Sequence, residues 1–167
     1  MGSLDQTDLS KLMRVVQGDK NTAYSSKAIS LVSLPPGALL TKITTATPAS
    51  ARAYTSVQVS ADSDIELNSD LVYCNHSCNP SVVFDMSKFE VRVVEDRPLK
   101  AGDDLTFFYP SSEWRMEQPF ECGCGSGEGK CLGTVKGAEF LGEDVLRKYW
   151  LNPHIEELLA KRDGELN

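Results

Sequence analysis

The sequence predicts a mainly β domain closed by a cysteine-bearing loop and a short helical tail. Three observations carry this. Short runs rich in β-branched and aromatic residues recur between turn signals from Leu12 to Tyr109. Residues 121–133 then hold three cysteines and five glycines, so something other than apolar packing must order them. From Glu143 the pattern takes on helical spacing.

Residues 1–10 are polar and read as a lead-in. Leu12–Val16 and Ala28–Val32 are the first two strands, and Pro35-Pro36-Gly37 turns the chain into a third, Ala38–Ile43. Residues 44–53 are Thr, Ala, Ser and Pro, which predicts a loop. Thr55–Ser60 alternates small polar and apolar residues, as a half-buried strand does. Asp62-Ser63-Asp64 then turns into Ile65-Glu66-Leu67. Val82–Phe84 and Phe89–Val94 flank Met86-Ser87-Lys88 as a hairpin. Lys100–Asp103 is a turn before a strand over Leu105–Tyr109. In the tail, Glu143-Asp144 lead and Arg147-Lys148 close a helix in the sense that suits its dipole. Pro153 opens a second helix with Ile155, Leu158 and Leu159 on one face.

At 167 residues the chain has the size of one domain with its own core. A hydrophobic fraction of 41% and a charged fraction of 25% are those of a globular protein. No apolar run approaches the roughly 18 residues of a membrane helix, so no membrane partner is expected. The first residues lack the features of a secretory signal and of a myristoylation site. The net charge of -7 argues against direct nucleic-acid binding and suits a basic peptide or a cationic small molecule. An odd count of five cysteines without a secretory signal predicts a reducing compartment, nuclear or cytoplasmic.

Three stretches carry chemistry. Asn75-His76-Ser77-Cys78-Asn79-Pro80 is rich in bend-forming residues, and a turn is its plain reading. A Cys–His nucleophile pair within it is disfavoured, because neighbours on extended backbone point to opposite faces. Cys122-Gly123-Cys124 with Cys131 gives three thiolates, one short of a tetrahedral zinc site, and Cys78 is an available fourth. The competing reading is buried free thiols, which a glycine-rich segment is poorly suited to hold. Gly102–Tyr109 is the third stretch, a core strand of aromatic residues on its plain reading.

Taken in order, these stretches resemble the SET-domain family with a post-SET zinc loop. Asn75–Pro80 is similar to the family's Asn-His-Ser-Cys-x-Pro-Asn motif, with Ser81 in place of the last Asn. Gly102–Tyr109 resembles its Gly-Glu-Glu-Leu-Thr-Tyr/Phe-Asp-Tyr strand, with Phe108 in place of Asp. Residues 95–100 resemble the lead-in to that strand, and Cys122–Cys131 resembles the post-SET Cys-x-Cys-x4-Cys loop with six intervening residues where the family has four. The family's Gly-x-Gly near the N-terminus, which helps bind the cofactor, is replaced by Asn21-Thr22-Ala23, and no cysteine-rich pre-SET segment is present.

The resemblance implies a fold of several small curved β-sheets with a knot-like core. It divides the chain into a lead-in (1–10), a SET domain (11–118), a post-SET cysteine loop (119–135) and a helical extension (136–167). It implies an S-adenosylmethionine-dependent protein-lysine N-methyltransferase. Its partner is a lysine-containing protein, with a histone tail the first substrate to consider. Tyr109 would be the catalytic tyrosine. Asn75 and His76 would hold the cofactor, partly through backbone groups, and Cys78, Cys122, Cys124 and Cys131 would hold zinc. Trp114 and Phe120 are candidates for lining the lysine channel, with core packing the plainer use of each. Phe107 stands where the family has Phe or Tyr, and Phe implies di- or trimethylation because it leaves space and removes a tether. The alternatives are a non-histone protein or a small amine as acceptor, or a SET-like module that binds a peptide without catalysis.

Overall fold

The computed structural model describes residues 8–19, 21, 25–53, 55–124 and 131–164. Most of the lead-in, Thr22 and Ala23 of the Gly-x-Gly region, and the centre of the cysteine loop (125–130) lie outside the described residues.

The chain forms β1 (Met13–Val16), β2 (Lys27–Ser30), β3 (Leu39–Lys42), β4 (Thr47–Pro48), β5 (Ser56–Ser60) and β6 (Ser63–Glu66). It continues through β7 (Asn75–His76), β8 (Val82–Asp85), β9 (Glu90–Val93), β10 (Thr106–Phe107), β11 (Phe120–Glu121) and β12 (Thr134–Val135). Two helices follow, α1 (Glu143–Leu146) and α2 (Pro153–Gly164). The strands make five small sheets: β1-β2, β3-β9-β8, β4-β6-β5, β11-β12, and the parallel pair β7-β10. The mainly β class and the division into several small sheets agree with the sequence.

Local chemistry explains the best-defined element. In the β8–β9 hairpin, Asp85 Oδ1 accepts from the Ser87 amide at 3.1 Å and the Ser87 hydroxyl at 2.6 Å, which bends the chain back on itself. Phe89 takes the left-handed conformation that completes the turn (φ 54°). Val82, Phe84, Val91 and Val93 thereby point into one core with Leu40, Leu71, Leu99 and Leu105. A second apolar cluster joins Phe108 and Ala138 to Leu146, Leu151, Ile155 and Leu159.

Several boundaries differ from the sequence expectation. The 44–53 loop contains β4, and the strand after Asp62 begins already at Ser63, because both edges of β6 are paired. The expected strand Leu105–Tyr109 stops at Phe107, since Tyr109–Ser111 winds into a 3-10 turn around Pro110. The α1 helix ends at Leu146 with Arg147 as its cap, a single turn. On α2, Ile155 and Leu159 are buried together with His154, while Leu158 is half-buried.

Asn152 joins the helical tail to the β core. It is fully buried. Its Nδ2 donates to Phe84 O at 2.8 Å and Ser111 O at 3.0 Å, and its Oδ1 accepts from the Met86 amide at 2.7 Å. Removing the amide takes the side-chain partner from Phe84 O and the Met86 amide, while Ser111 O keeps the Asn152 backbone N–H at 2.9 Å; each buried group left unpaired costs about 1–3 kcal/mol. Asn152→Ala should therefore lower stability by about 3 kcal/mol and the melting temperature by roughly 10 °C in a domain of this size, measured by thermal unfolding. A change under about 2 °C would show that the tail is not held through this residue.

Candidate functional site

The site is built on two residues of parallel sheet. β7 and β10 pair in the register Thr106↔Asn75 and Phe107↔His76, with Ser77 N donating to Phe107 O at 3.1 Å and Ser81 N to Thr106 O at 3.1 Å. This brings together the two motifs that lie about thirty residues apart in the chain. Ser81, where the resembled motif has Asn, secures the join, because its hydroxyl donates to Asp104 O at 2.7 Å and accepts from Thr106 N at 3.0 Å.

Asn75, Phe107 and Tyr109 all line one cavity of about 360 Å³. Its apolar wall includes Val57, Leu67, Leu71 and Phe107, and its polar groups include Asp19, Arg52, Asn75, Glu113 and Glu117. Asn75 Nδ2 donates to Ser26 O at 2.8 Å, which ties the motif to β2. Phe107 is buried and stacks on Phe84, with ring centroids 4.0 Å apart. Tyr109 is half-buried, its ring 4.7 Å from that of Phe107, and its hydroxyl donates to Cys74 O at 3.1 Å. Phe120 packs edge-on against Tyr109, whereas Trp114 packs against the second apolar cluster with Arg162 over its ring.

His76 does not line this cavity. Its ring is buried, and its Nδ1 accepts the Tyr109 amide at 3.1 Å while Nε2 lies 3.3 Å from Cys78 Sγ. Burial pushes its pKa down to about 4, so the ring is neutral at ordinary pH. With Nδ1 occupied as an acceptor, the single proton sits on Nε2 and is donated to the sulfur.

That sulfur belongs to the cysteine cluster. The thiols of Cys78, Cys122, Cys124 and Cys131 lie within 4.8 Å of one another, and Cys78 and Cys122 are 3.9 Å apart. Four sulfurs bound tetrahedrally at 2.3 Å stand about 3.8 Å apart, so the donor set fits zinc. Amides of Leu132 and Cys124 point at Cys78 Sγ (3.2 Å) and Cys122 Sγ (3.4 Å), as expected of groups that support thiolates. The β11–β12 pair closes the base of the loop, and Cys122 N donates to Gly133 O at 2.7 Å.

Sequence reasoning missed two supports. Tyr149, from the tail, donates its hydroxyl to Cys78 O at 2.6 Å and stacks on Phe108 at 3.5 Å, which accounts for an aromatic residue at position 108. Glu113 is a buried carboxyl in the cavity wall, and burial raises its pKa to about 7. No motif marks either residue. A larger cavity of about 950 Å³ runs between the cysteine cluster, β8–β9 and the tail, but Asn75, Phe107 and Tyr109 are not part of it.

Comparison with known proteins agrees with this geometry. Residues 9–110 match the model of a family described as the SET domain. A protein of Aspergillus flavus named methyltransferase flvH is 59% identical over 148 residues, covering 89% of this chain and 81% of that protein. Two proteins named histone-lysine N-methyltransferase, H3 lysine-36 specific, come from Chaetomium globosum and Coccidioides immitis. They are 33% and 35% identical over 69 residues, or 39% of this chain but only 7% and 6% of those proteins.

The cluster makes a direct prediction. Protein purified from zinc-supplemented medium should carry one zinc per chain by elemental analysis, and Cys122→Ser or a strong chelator should reduce that to near zero with a lower melting temperature. A wild-type protein that takes up no zinc would remove the metal from the site.

Proposed function

This chain belongs to the SET-domain family of methyltransferases, and from that premise we propose that it is an S-adenosylmethionine-dependent protein-lysine N-methyltransferase. The observation that carries the reading is the convergence of Asn75, Phe107 and Tyr109 on one cavity with apolar walls and an acidic lining. The acidic lining suits a cationic cofactor, and the volume of about 360 Å³ lies in the range of small-molecule sites. Asn75 is the residue of the motif best placed to contact that cofactor. When bound, S-adenosylmethionine supplies a methyl group carried on a sulfonium sulfur.

The residues of the cavity address the chemistry of the acceptor. A lysine ammonium has no lone pair, and the apolar wall formed by Val57, Leu67, Leu71 and Phe107 disfavours its charged form. The Tyr109 proton is already donated to Cys74 O. As a residue that lines the cavity, Tyr109 offers phenolic oxygen lone pairs of the kind that hold an amine N–H and aim its lone pair for in-line attack. The cysteine cluster, through His76, fixes the backbone from which Tyr109 projects.

A histone tail is the first acceptor to test. The net charge of -7 suits a basic segment, and related proteins are named for histone H3. Labelled-methyl transfer to a panel of core histones, total cell protein and free lysine tests the activity and its acceptor together. Failure with every acceptor would overturn the proposal. Tyr109→Phe should reduce transfer by about 100-fold or more while calorimetry finds cofactor binding changed only a few-fold; unimpaired transfer would remove Tyr109 from its role.

Phe107 bears on the extent of reaction. Its ring, stacked on Phe84 and tilted against Tyr109, leaves no hydroxyl to tether the amine after the first transfer. The wild-type product should be di- or trimethylated, and Phe107→Tyr should shift it toward monomethyl, read by mass spectrometry. A monomethyl product from both proteins would contradict this reading of Phe107.

A further inference from the structure

Glu113 is the buried carboxyl of this cavity, and the chemistry above gives it no role of its own beyond its share of the acidic lining. It follows Tyr109 by one tight turn, its amide donating to Tyr109 O at 2.9 Å. Its Oε2 accepts the Gln58 amide at 3.0 Å and the Ser112 hydroxyl at 2.7 Å. The other oxygen, Oε1, accepts from none of the described residues. Yet no buried side-chain oxygen among the described residues lacks a partner, so Oε1 is reached by solvent, and the opening beside it is the cavity that Glu113 lines. The position is rigid, since Gln58 Oε1 in turn accepts the Trp114 amide at 2.9 Å.

A carboxylate 8% exposed and lacking a cation of its own is costly to ionise. Arg52 is the nearest cation, but its Nε and Nη2 are engaged by Asp64 at 3.1 Å each, and its Nη1 donates to Arg115 O. That ion pair is close to neutral as a whole. The other ionisable groups around Glu113 are Tyr73 and Tyr109, the carboxyls of Asp19 and Glu117, and His154, whose Nε2 lies 2.8 Å from Ser112 O. None of them is a fixed positive charge. Among the described residues Glu113 thus has no cation to itself, and a ligand can supply one.

We propose that Glu113 is the residue that recognises the acceptor's protonated amine, its Oε1 receiving an ammonium N–H as the acceptor enters beside Phe107 and Tyr109. The inference rests on the methyltransferase reading and specifies how its acceptor is read: the site selects a primary ammonium over a neutral isostere of equal size. Burial holds the carboxyl pKa at about 7, so recognition strengthens as pH rises through 7 and fades below about 6, where the group is protonated.

The test uses n-butylammonium chloride against n-butanol, followed by NMR of the full-length protein through the Gln58 amide, which is bonded to Glu113. Wild type should bind the ammonium at least tenfold tighter than the alcohol at pH 8, and the preference should vanish by pH 5.5. Glu113→Gln keeps an oxygen to accept from Gln58 and Ser112, and it should bind both probes alike at every pH. The Gln58 resonance should also lose its titration near pH 7. If the variant proves unfolded by thermal melting, the wild-type pH dependence decides alone, because a preference unchanged between pH 5.5 and 8 overturns the inference. A folded Glu113→Gln that still prefers the ammonium does the same.

Labelled-methyl transfer, run in parallel, separates this from the activity. An active wild type whose ammonium preference survives in Glu113→Gln refutes the role of Glu113 and leaves the methyltransferase reading intact. In the transfer assay the variant's acceptor KM should rise at least tenfold at pH 8 with the cofactor KM unchanged. A rise confined to the cofactor KM would assign Glu113 to the cofactor and overturn the inference.

Discussion

One neutral imidazole holds the two halves of this site together. His76 takes the Tyr109 amide on Nδ1 and presents Nε2 to the sulfur of Cys78. A charged ring, or a neutral ring with its proton on Nδ1, could not accept the Tyr109 amide there. That bond therefore requires a neutral ring, which burial secures by pushing the pKa to about 4. The backbone at Tyr109 is set on one side of the ring and the cysteine cluster on the other. His76 thus couples the cysteine cluster to the tyrosine through its side chain.

The tail supports the same junction from outside. Tyr149 bonds Cys78 O and lies flat on Phe108, while Asn152 bonds the backbone of Phe84, Met86 and Ser111. Both residues follow α1, and α2 then buries Ile155 and Leu159 against Phe108. The helical tail thus buttresses the site from its C-terminal side. The aromatic residue at 108 is explained by that contact, since an aspartate there would forfeit the stacking and face an apolar cluster.

Legibility in the sequence followed sequence distance. The β8–β9 hairpin, the turn at Pro35-Pro36-Gly37 and the opening of α2 at Pro153 are written in adjacent residues, where turn chemistry and hydrophobic alternation act directly. The β7–β10 pair is only two residues long and joins segments about thirty residues apart, so no periodicity announces it. The motifs at Asn75–Pro80 and Gly102–Tyr109 were visible through resemblance, and the cysteines through their spacing. Glu113 and Asn152 were not. Each is an ordinary polar residue in the text, given meaning only by what folds around it.

The cysteine cluster also ties the loop to the segment that carries His76. Without a cation, desolvation above all raises the thiol of Cys78 to about 11 and that of Cys122 further still, so these two thiols are protonated at neutral pH. Zinc binds thiolates, so its capture must release those protons, and its affinity depends on pH and on the fold that gathers the four sulfurs. Three of the ligands come from the loop, but the fourth stands two residues beyond His76, on the segment that β10 pairs with. The complete ligand set and the parallel join are therefore coupled, each favouring the other. A metal held there would reinforce the β7–β10 junction, and through His76 the backbone of Tyr109.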